Sequence, residues 1–472
     1  MYKKHSKASR SLQKNIPIAQ VDPWHPRYHF APPANWMNDP NGTIFHNGEY
    51  HLFYQFNPAS PKWGNLHWGH ARSKNLVDWE HLPIALVPDG FPREIHCWSG
   101  CCVIADDGTP TILYTSMNPL SLYLTRARRY AQQWLARGSA DLIQWEKYAG
   151  NPILREENHG EQIPQHWRDP YVWKQDERWL MVLVGKYEGD KFGRVFLYQS
   201  ENLTDWALIG DLIQGTAAQG FGWECPNYFP FKNKYILVVS PYGPVIYAIG
   251  DFDGARHHSD GWYTLDHGKH FYATNTYQDN RGRTILVGWV KAEGKGWNGC
   301  LSLPRQLALD DSGQLTIQPV PELEKLRGPH QHFERTLETQ SESAGTAPLF
   351  GEQMEIKATF QMQQAESFGF SFIDDEGEHP LTFDFHTHQL SMGDQTARLQ
   401  FTEKADRIEL HTFVDHSVIE IFINQREVFT TTFYFKLAEH HALKIAPFVR
   451  QGKGKLMIDS WKLSAAEMSG RV

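Results

Sequence analysis

Two acidic residues of the chain lie in short aromatic segments that end in proline. Asp39 follows Trp36 in Trp-Met-Asn-Asp-Pro-Asn-Gly, and Glu224 stands between Trp223 and Cys225 in Trp-Glu-Cys-Pro. Amides and a glycine turn surround Asp39, so we expect hydrogen bonds that keep it ionised. The apolar neighbours of Glu224 should raise its pKa. Two carboxyl groups whose pKa values are pushed apart meet the requirement for cleaving a glycosidic bond.

A third candidate acid occurs in Arg168-Asp169-Pro170. Proline interrupts a strand edge where a side chain can be directed at a ligand. Neighbours in a regular strand point to opposite faces, so Arg168 and Asp169 reach one ligand only if the strand is irregular. Each segment alone also fits a structural role, because Asn-Asp-Pro-Asn-Gly is a good β-turn and an Arg-Asp pair commonly faces solvent. Their joint occurrence favours a catalytic site.

The composition limits the classes of protein to consider. The 472 residues suffice for two or three domains, and aromatic residues make up 13% of them. Aromatic surfaces suit sugars, although most of these rings must fill a β core. A net charge of −8 argues against a nucleic-acid partner. No stretch approaches the ~20 apolar residues of a membrane span. No apolar stretch follows the basic run 3–14, so we expect a solvated tail and no secretory signal.

The five cysteines are odd in number and lack the spacing of a zinc site. Cys97, Cys101 and Cys102 lie close in sequence, but a second ligand pair is missing. We therefore expect buried thiols, no metal and no other cofactor. These features predict a soluble protein of a reducing compartment, the cytoplasm.

A repeated motif indicates the architecture of the N-terminal part. Ser-x-(Asn/Asp)-Leu-x-x-Trp begins at Ser73, Ser139 and Ser200. The intervening segments are apolar or alternating runs, typical of short strands. A repeat of roughly 60 residues built from strands predicts a propeller blade. We therefore predict an all-β chain in which residues 28–327 form a five-bladed β-propeller, with a two-sheet sandwich as the alternative.

The composition changes near residue 330. We predict an N-terminal tail at 1–27, a polar linker at 328–347 and a second domain at 348–472. Six or more alternating runs in the last segment predict a C-terminal antiparallel β-sandwich.

The acids belong to a longer series of motifs that resembles glycoside hydrolase family 32. This family comprises invertases, sucrose-6-phosphate hydrolases, fructan hydrolases and related fructosyltransferases. In chain order, the matching segments are 36–42, 53–58, 68–71, 98–100, 168–170, 224–226, 271–273, 288–289, 301–305 and 415–422. So many motifs in order, over nearly the whole chain past residue 22, make the resemblance specific.

The resemblance implies a role for each acid. Asp39 would be the nucleophile, Glu224 the general acid/base and Asp169 a stabiliser of the transition state, with the anomeric configuration retained. The residues that the resemblance places around the fructose are Asn38, Gln55, Trp63, Ser99 and Arg168, with Trp98, Tyr272 and Trp289 as aromatic walls. For Trp63 and Trp289, a role in the core fits equally well.

Three positions depart from the family pattern. Trp98 stands where phenylalanine is usual, Asn227 where aspartate is usual, and His270 where an acid is common. None of them removes a catalytic group, but they leave substrate preference and pH optimum open.

The resemblance implies a retaining β-fructofuranosidase that acts on sucrose, sucrose 6-phosphate or short fructo-oligosaccharides. The first alternative is a fructosyltransferase, which shares the covalent intermediate. The second is a fructan-binding propeller without catalysis, against which the three acids argue. We expect a small sugar as the only necessary partner, and the sandwich leaves a homodimer open.

Overall fold

The computed structural model describes residues 2–119, 131–159, 162, 164–339, 348–400, 406–470 and 472. Side chains are described for all of these except 2–9 and 157. This part of the chain is almost entirely β, apart from α1 (Tyr2–Gln20) and three short 3-10 helices at Glu156–His159, Ala217–Gln219 and Pro321–Leu326. No described helix has the length and apolar character of a membrane span.

The N-terminal part is a five-bladed propeller. Blade I contains β1 (Asn35–His46), β2 (Glu49–Asn57), β3 (His67–Ser73) and β4 (Trp79–Leu86). Blade II contains β5 (His96–Ile104), β6 (Pro110–Met117), β7 (Ala131–Gly138) and β8 (Trp145–Lys147). Blade III contains β9 (Gln165–Gln175), β10 (Arg178–Lys186), β11 (Arg194–Ser200) and β12 (Ala207–Gln214). Blade IV contains β13 (Glu224–Phe231), β14 (Lys234–Ser240), β15 (Ile246–Phe252) and β16 (His257–Thr264).

Blade V closes the ring. It contains β17 (Phe271–Gln278), β18 (Thr284–Gly294), β19 (Trp297–Leu301), β20 (Arg305–Leu309) and β21 (Leu315–Pro319). β19 pairs with β18 and also runs parallel to β1, where Asn35 lies opposite Trp297, so the last blade is bonded to the first. The first strands of adjacent blades contact one another in cyclic order around the axis. The predicted propeller is confirmed, and the sandwich alternative for this half is wrong.

The repeated motif is the turn between the third and fourth strands of blades I to III. In each copy the leucine has a positive φ: +63° at Leu76, +59° at Leu142 and +66° at Leu203. The indole of the following tryptophan donates to the leucine carbonyl at 3.3, 2.6 and 2.9 Å, respectively. A positive φ is strained for leucine, and burial of the leucine together with the indole bond holds the turn.

The C-terminal part is a sandwich of two six-stranded sheets. Its strands are β22 (Arg327–Glu338), β23 (Leu349–Phe350), β24 (Gln353–Met362), β25 (Ser367–Asp374), β26 (Gly377–Asp384), β27 (Gln389–Met392), β28 (Gln395–Arg398), β29 (Arg407–Asp415), β30 (Val418–Ile423), β31 (Glu427–Thr432), β32 (Lys444–Arg450) and β33 (Lys453–Leu463). The sheet orders are β22-β33-β24-β29-β30-β31 and β23-β32-β25-β26-β27-β28. A final strand, β34 (Met468–Gly470), pairs with β4 of blade I.

Two segments differ from the prediction. The predicted linker begins as β22, an edge strand paired along its length with β33, while residues 340–347 lie outside the described part. Most side chains of β22 are exposed, so the strand has little hydrophobic alternation to reveal it. The predicted solvated tail contains α1, which buries Leu12 and Ala19 in the propeller core.

Buried charges join the two domains. His29 Nδ1 lies 2.8 Å from Asp415 Oδ2, and its Nε2 lies 3.1 Å from Glu420 Oε1. Arg305 pairs with Glu420 at 2.6 Å and with Asp266 at 2.8 Å. None of these side chains is exposed. The family motifs at 301–305 and 415–422 therefore lie at the domain interface.

Candidate active site

The first strand of every blade is irregular near its start. Register shifts occur in β1 between Met37 and Pro40, in β5 between Cys97 and Gly100, in β13 between Glu224 and Asn227, and in β17 between Tyr272 and Thr274. In blade III, the shift of β10 falls opposite the part of β9 between Arg168 and Tyr171. Such bulges change the direction of side chains, so both members of an adjacent pair can face one site.

These irregular positions hold five adjacent pairs: Asn38-Asp39, Trp98-Ser99, Arg168-Asp169, Glu224-Cys225 and Tyr272-Ala273. Four of the second members are linked, because Asp39 is bonded to Ser99 and Cys225, and Cys225 to Asp169. Among the first members, Arg168 and Tyr272 are bonded to Glu224, and Asn38 donates to Asp39. The five blades thus bring one group of side chains to Asp39 and another to Glu224.

Asp39 is held by four side-chain donors. Its Oδ2 accepts from Ser99 Oγ at 2.5 Å, from Gln55 Nε2 at 3.1 Å and from Cys225 Sγ at 3.4 Å, and its Oδ1 accepts from Asn38 Nδ2 at 3.0 Å. Burial raises the pKa of Asp39, while the bonds from Ser99 and Asn38 oppose the rise. The expected hydrogen-bond donors are present, although desolvation has the larger effect on the pKa of Asp39.

Glu224 is surrounded by polar groups. Its Oε2 accepts from Tyr272 Oη at 2.6 Å, and its Oε1 accepts from Arg168 Nη2 at 2.5 Å and from Tyr242 Oη at 3.4 Å. The side chain is 23% exposed. The predicted apolar setting is wrong, since the thiol of Cys225 faces Asp39 instead. Glu224 therefore lies at a partly open face, beside a cation and two phenols.

Asp169 is the most enclosed of the three acids. Its Oδ2 accepts from the backbone amide of Cys225 at 2.9 Å and lies 3.6 Å from Arg168 Nε. The backbone has a φ of +63°, and its amide donates to Thr115 Oγ1 at 2.9 Å. Burial raises the pKa of Asp169 to about 7, although the charge of Arg168 opposes this rise.

The predicted binding residues fall into three groups. Asn38, Gln55, Ser99, Arg168 and Tyr272 contact the acids directly. Two tryptophans lie one contact further away: the Trp98 ring is 5.9 Å from the Arg168 guanidinium, and Trp289 is 5.8 Å from Trp36, which is bonded to Asn38. Trp63 is 55% exposed and packs against His96 at 5.1 Å.

Two site residues were missed by the sequence analysis. Tyr242 bonds both Arg168 and Glu224, and its exposed ring stacks on Phe221 with centroids 5.6 Å apart. Lys291 places its ammonium 4.4 Å from the centre of the Tyr272 ring. Tyr242 lies in a Ser-Pro-Tyr-Gly turn with a φ of +56°. A turn motif gives no sign of which residue of the adjacent blade the side chain will meet.

A cavity of about 470 Å³ opens beside Glu224. Its walls are His166, Arg168, Gly185, Lys186, Phe221, Gly222, Trp223 and Tyr242. The lining thus combines aromatic residues with basic ones. Its size is in the range of small-molecule sites.

The three departures have distinct surroundings. Asn227 donates its amide to the carbonyls of Cys225 at 3.3 Å and Thr274 at 3.0 Å, a position in which an ionised aspartate would face two oxygens. His270 accepts from the backbone amide of Thr432 at 3.1 Å, and burial lowers its pKa to about 4. Trp98 faces Arg168. Asn227 thus joins two blades, and His270 contacts the sandwich.

The five cysteines are buried free thiols. Among the described residues, no group of three or more His, Cys, Asp and Glu side chains is arranged to hold a metal ion. The side chains that meet at the site are carboxyl groups, phenols and a guanidinium.

Comparison with known proteins identifies the class. Residues 29–319 match the model of the glycosyl hydrolases family 32 N-terminal domain, and residues 322–464 match that of the family's C-terminal domain. The chain belongs to glycosyl hydrolase family 32 and is a glycoside hydrolase.

Individual relatives match along most of the chain. A sucrose-6-phosphate hydrolase of Zymomonas mobilis is 34% identical over 463 residues, with 89% of this chain and 88% of the relative covered. The raffinose invertase of Escherichia coli is 31% identical, with 94% and 96% covered. The structure of a β-fructofuranosidase from Bombyx mori superposes with a TM-score of 0.81 at 29% identity, covering 99% of this chain and 100% of that one.

Proposed function

We propose that the protein is a retaining β-fructofuranosidase that hydrolyses sucrose. The observation that carries this proposal is that Asp39 and Glu224 meet at one site and are held by different donors. Cys225 contacts both Asp39 and Asp169, and Arg168 holds Glu224. The names of the relatives, which include invertases and sucrose-6-phosphate hydrolases, support the substrate.

In the first step, the ionised Asp39 attacks the anomeric carbon of the fructosyl unit. Glu224 donates its proton to the glycosidic oxygen, so glucose leaves as a neutral alcohol. The four donors around Asp39 fix the direction of its oxygens before substrate arrives, which reduces the entropy cost of attack. Hydrogen bonds from Arg168 and Tyr272 fix the orientation of the Glu224 carboxyl group in the same way.

In the second step, Glu224 removes a proton from water, and the resulting hydroxide releases fructose from Asp39. Asp169 would accept hydrogen bonds from fructose hydroxyls, and these strengthen as positive charge develops on the ring. A second sugar that replaces water at this step would make the protein a fructosyltransferase. The exposed stack of Phe221 and Tyr242 beside Glu224 is the surface on which either acceptor would approach.

Sucrose 6-phosphate is the second candidate substrate. Its phosphate lies on the glucose unit and would enter the cavity beside Glu224, where Lys186, His166 and Arg168, the last of which also pairs with Glu224, are among the described lining residues. Lysine and arginine are the usual partners of phosphate in proteins. Arg194 is not available for this role, because it pairs with Asp190 and Asp211.

The test is a product assay of the purified protein on sucrose, sucrose 6-phosphate and 1-kestose, with Asp39→Ala as the inactive control. Equimolar glucose and fructose from sucrose, lost in the variant, would support hydrolysis. Glucose in excess over fructose, together with new trisaccharides, would identify a transferase. Turnover that survives in Asp39→Ala would refute the mechanism.

Lys186→Ala, with the exposed Lys191→Ala as its matched control, addresses the phosphate. If the wall binds phosphate, kcat/KM for sucrose 6-phosphate should fall about tenfold in Lys186→Ala while kcat/KM for sucrose stays unchanged. Equal effects on both substrates would show that Lys186 does not bind the phosphate.

We also propose that the reaction takes place in the cytoplasm. Five buried free thiols and the sucrose-6-phosphate hydrolase relatives support a reducing compartment. Pairing of two copies through the sandwich, where Phe350 and Met457 are exposed, is a further proposal that sedimentation velocity tests.

A further inference from the structure

The helix α1 packs against the strand that carries Asp39. It precedes residue 29, where the match to the family model begins. Leu12 and Ala19 of the helix are buried in the same apolar cluster as Met37 of β1 and Trp297 of β19. The helix is therefore an integral part of the propeller core on the side where the chain approaches the site.

Two residues of the helix, Ser11 and Asn15, reach Asn35 at the start of β1. Ser11 Oγ accepts from Asn35 Nδ2 at 3.3 Å, and Asn15 makes the shorter contact. Asn15 Nδ2 donates to Asn35 Oδ1 at 2.7 Å. Asn35 in turn donates its side-chain amide to the carbonyl of Pro58 at 2.8 Å and its backbone amide to the carbonyl of Gly296 at 2.8 Å. Asn35 is fully buried and has a φ of +74°. Three separate segments thus hold it in a conformation that few residues adopt.

From Asn35, a short series of contacts leads to the candidate nucleophile. Trp36 follows directly, and its indole donates to Asn38 Oδ1 at 2.7 Å. Asn38 Nδ2 then donates to Asp39 Oδ1 at 3.0 Å and to Gln55 Oε1 at 3.1 Å. A shift of Asn35 would therefore change the direction from which Asn38 holds the carboxylate.

The same N-terminal segment also grips the β18–β19 hairpin. A side chain at Gly296 would meet the carbonyl oxygen of Asn15 at 3.0 Å, which shows how closely helix and hairpin pack. Asp22 accepts from the backbone amide of Lys295 at 2.5 Å and from the Trp297 indole at 2.9 Å. β18 carries Trp289, whose ring faces Trp36. The segment thus supports two sides of the fructose pocket.

We propose that Asn15 is a positioning residue for the nucleophile, acting through Asn35, Trp36 and Asn38 on Asp39. The helix α1 then contributes to catalysis by holding the nucleophile in place. This inference rests on the proposed function, because it assigns the attack to Asp39.

Two variants of Asn15 test the proposal in the full-length protein. Asn15→Ala removes the donor, and Asn15→Asp keeps the shape but cannot donate to Asn35. Gln13→Ala, at an exposed position of the same helix, is the control. We expect kcat for sucrose, normalised to folded protein by circular dichroism at the assay temperature, to fall about tenfold in both variants. The inhibition constant of fructose should change less than about twofold, because its hydroxyl contacts remain.

Each outcome bears on one claim. A wild-type protein without turnover of sucrose, sucrose 6-phosphate or 1-kestose would refute the proposed function. An active wild type with unchanged kcat in both Asn15 variants would overturn the positioning role alone. An equal loss of kcat in Gln13→Ala would overturn it too. The same holds for a loss of kcat in the Asn15 variants that disappears when the rate is normalised to folded protein.

Discussion

Two opposing effects act on the pKa of Asp39. Burial raises its pKa, and the hydroxyl of Ser99 opposes the rise with a 2.5 Å bond. Glu224 adds to the rise by charge repulsion across the site. A nucleophile must be ionised to attack, so the Ser99 bond extends activity towards lower pH.

Ser99→Ala is expected to move the acidic limb of kcat/KM upward by about one pH unit, since a hydrogen bond to a charged group contributes roughly 1.5 kcal/mol. Without the Ser99 bond, a larger fraction of Asp39 is protonated at any pH below the limb. Ser116→Ala is the matched control, because Ser116 is buried in the same blade and its hydroxyl has no partner in the described part of the chain. An unmoved limb in Ser99→Ala would show that Ser99 does not control ionisation.

The three acids were singled out by their motifs, and the family resemblance indicated most of the polar residues that contact them. Tyr242 and Lys291 were missed, since Tyr242 meets Arg168 of the adjacent blade and Lys291 meets Tyr272 of the adjacent strand. The surroundings of Glu224 were mispredicted for the same reason. Its sequence neighbours are apolar, but its spatial neighbours, Arg168 and Tyr272, come from other blades.

At the scale of elements, a strained turn is repeated where each of three blades bends back. Leu203 has a φ of +66° and is buried, and the Trp206 indole donates to its carbonyl. Backbone strain of this kind costs about 1–3 kcal/mol. Burying a leucine contributes about 2–5 kcal/mol relative to alanine, so the packing exceeds the strain and leucine is kept.

Leu203→Gly should therefore destabilise the protein less than Leu203→Ala, by about 1 kcal/mol. Both variants lose the packing, but only glycine relieves the positive φ. At Leu197, fully buried in the neighbouring strand β11, glycine should cost more than alanine, as is usual in a strand. Denaturant midpoints rank the glycine and alanine variants at each position. If glycine were the more destabilising substitution at Leu203 as well as at Leu197, relief of strain at Leu203 would be excluded.

Elements with a strong pattern were predictable, and elements at an edge were not. The alternating runs predicted for the sandwich include β30, in which five of six residues are apolar and all six are buried. The edge strand β22 has mostly exposed side chains, so its polar sequence resembled a linker. In α1, lysines at 3, 4, 7 and 14 outnumber the few residues that pack, Leu12, Ile16 and Ala19.

At the scale of the whole molecule, the described histidines respond to pH in two opposite senses. Burial lowers the pKa to about 4 in His51, His81, His96, His159, His257 and His270. Unfolded histidines titrate near 6.5, so the unfolded chain binds more protons between these values and stability falls as pH falls from about 6.5 to 4. Asp39 and Asp169, with raised pKa values, oppose this fall, but they are two groups against six.

His29 sets the other limit. Although burial alone would lower its pKa, bonds to Asp415 and Glu420 raise it to about 9. The folded state therefore holds a proton that the unfolded state releases near 6.5. The resulting stabilisation is complete below that pH and is lost as pH rises through about 9. The charged network at the domain interface thus depends on one proton.

The melting temperature should accordingly be highest near pH 6.5 to 7 and decline on both sides. His29→Gln tests the alkaline decline, because glutamine occupies the site without titrating. We expect it to lower the melting temperature near pH 7, where the carboxylates of Asp415 and Glu420 lose their cation, and to flatten the decline between pH 7 and 9.5. His330→Gln, an exposed histidine beside Asp459, should leave the profile unchanged. If the melting temperature of His29→Gln fell between pH 7 and 9.5 as steeply as that of the wild type, the controlling proton would lie elsewhere in the molecule.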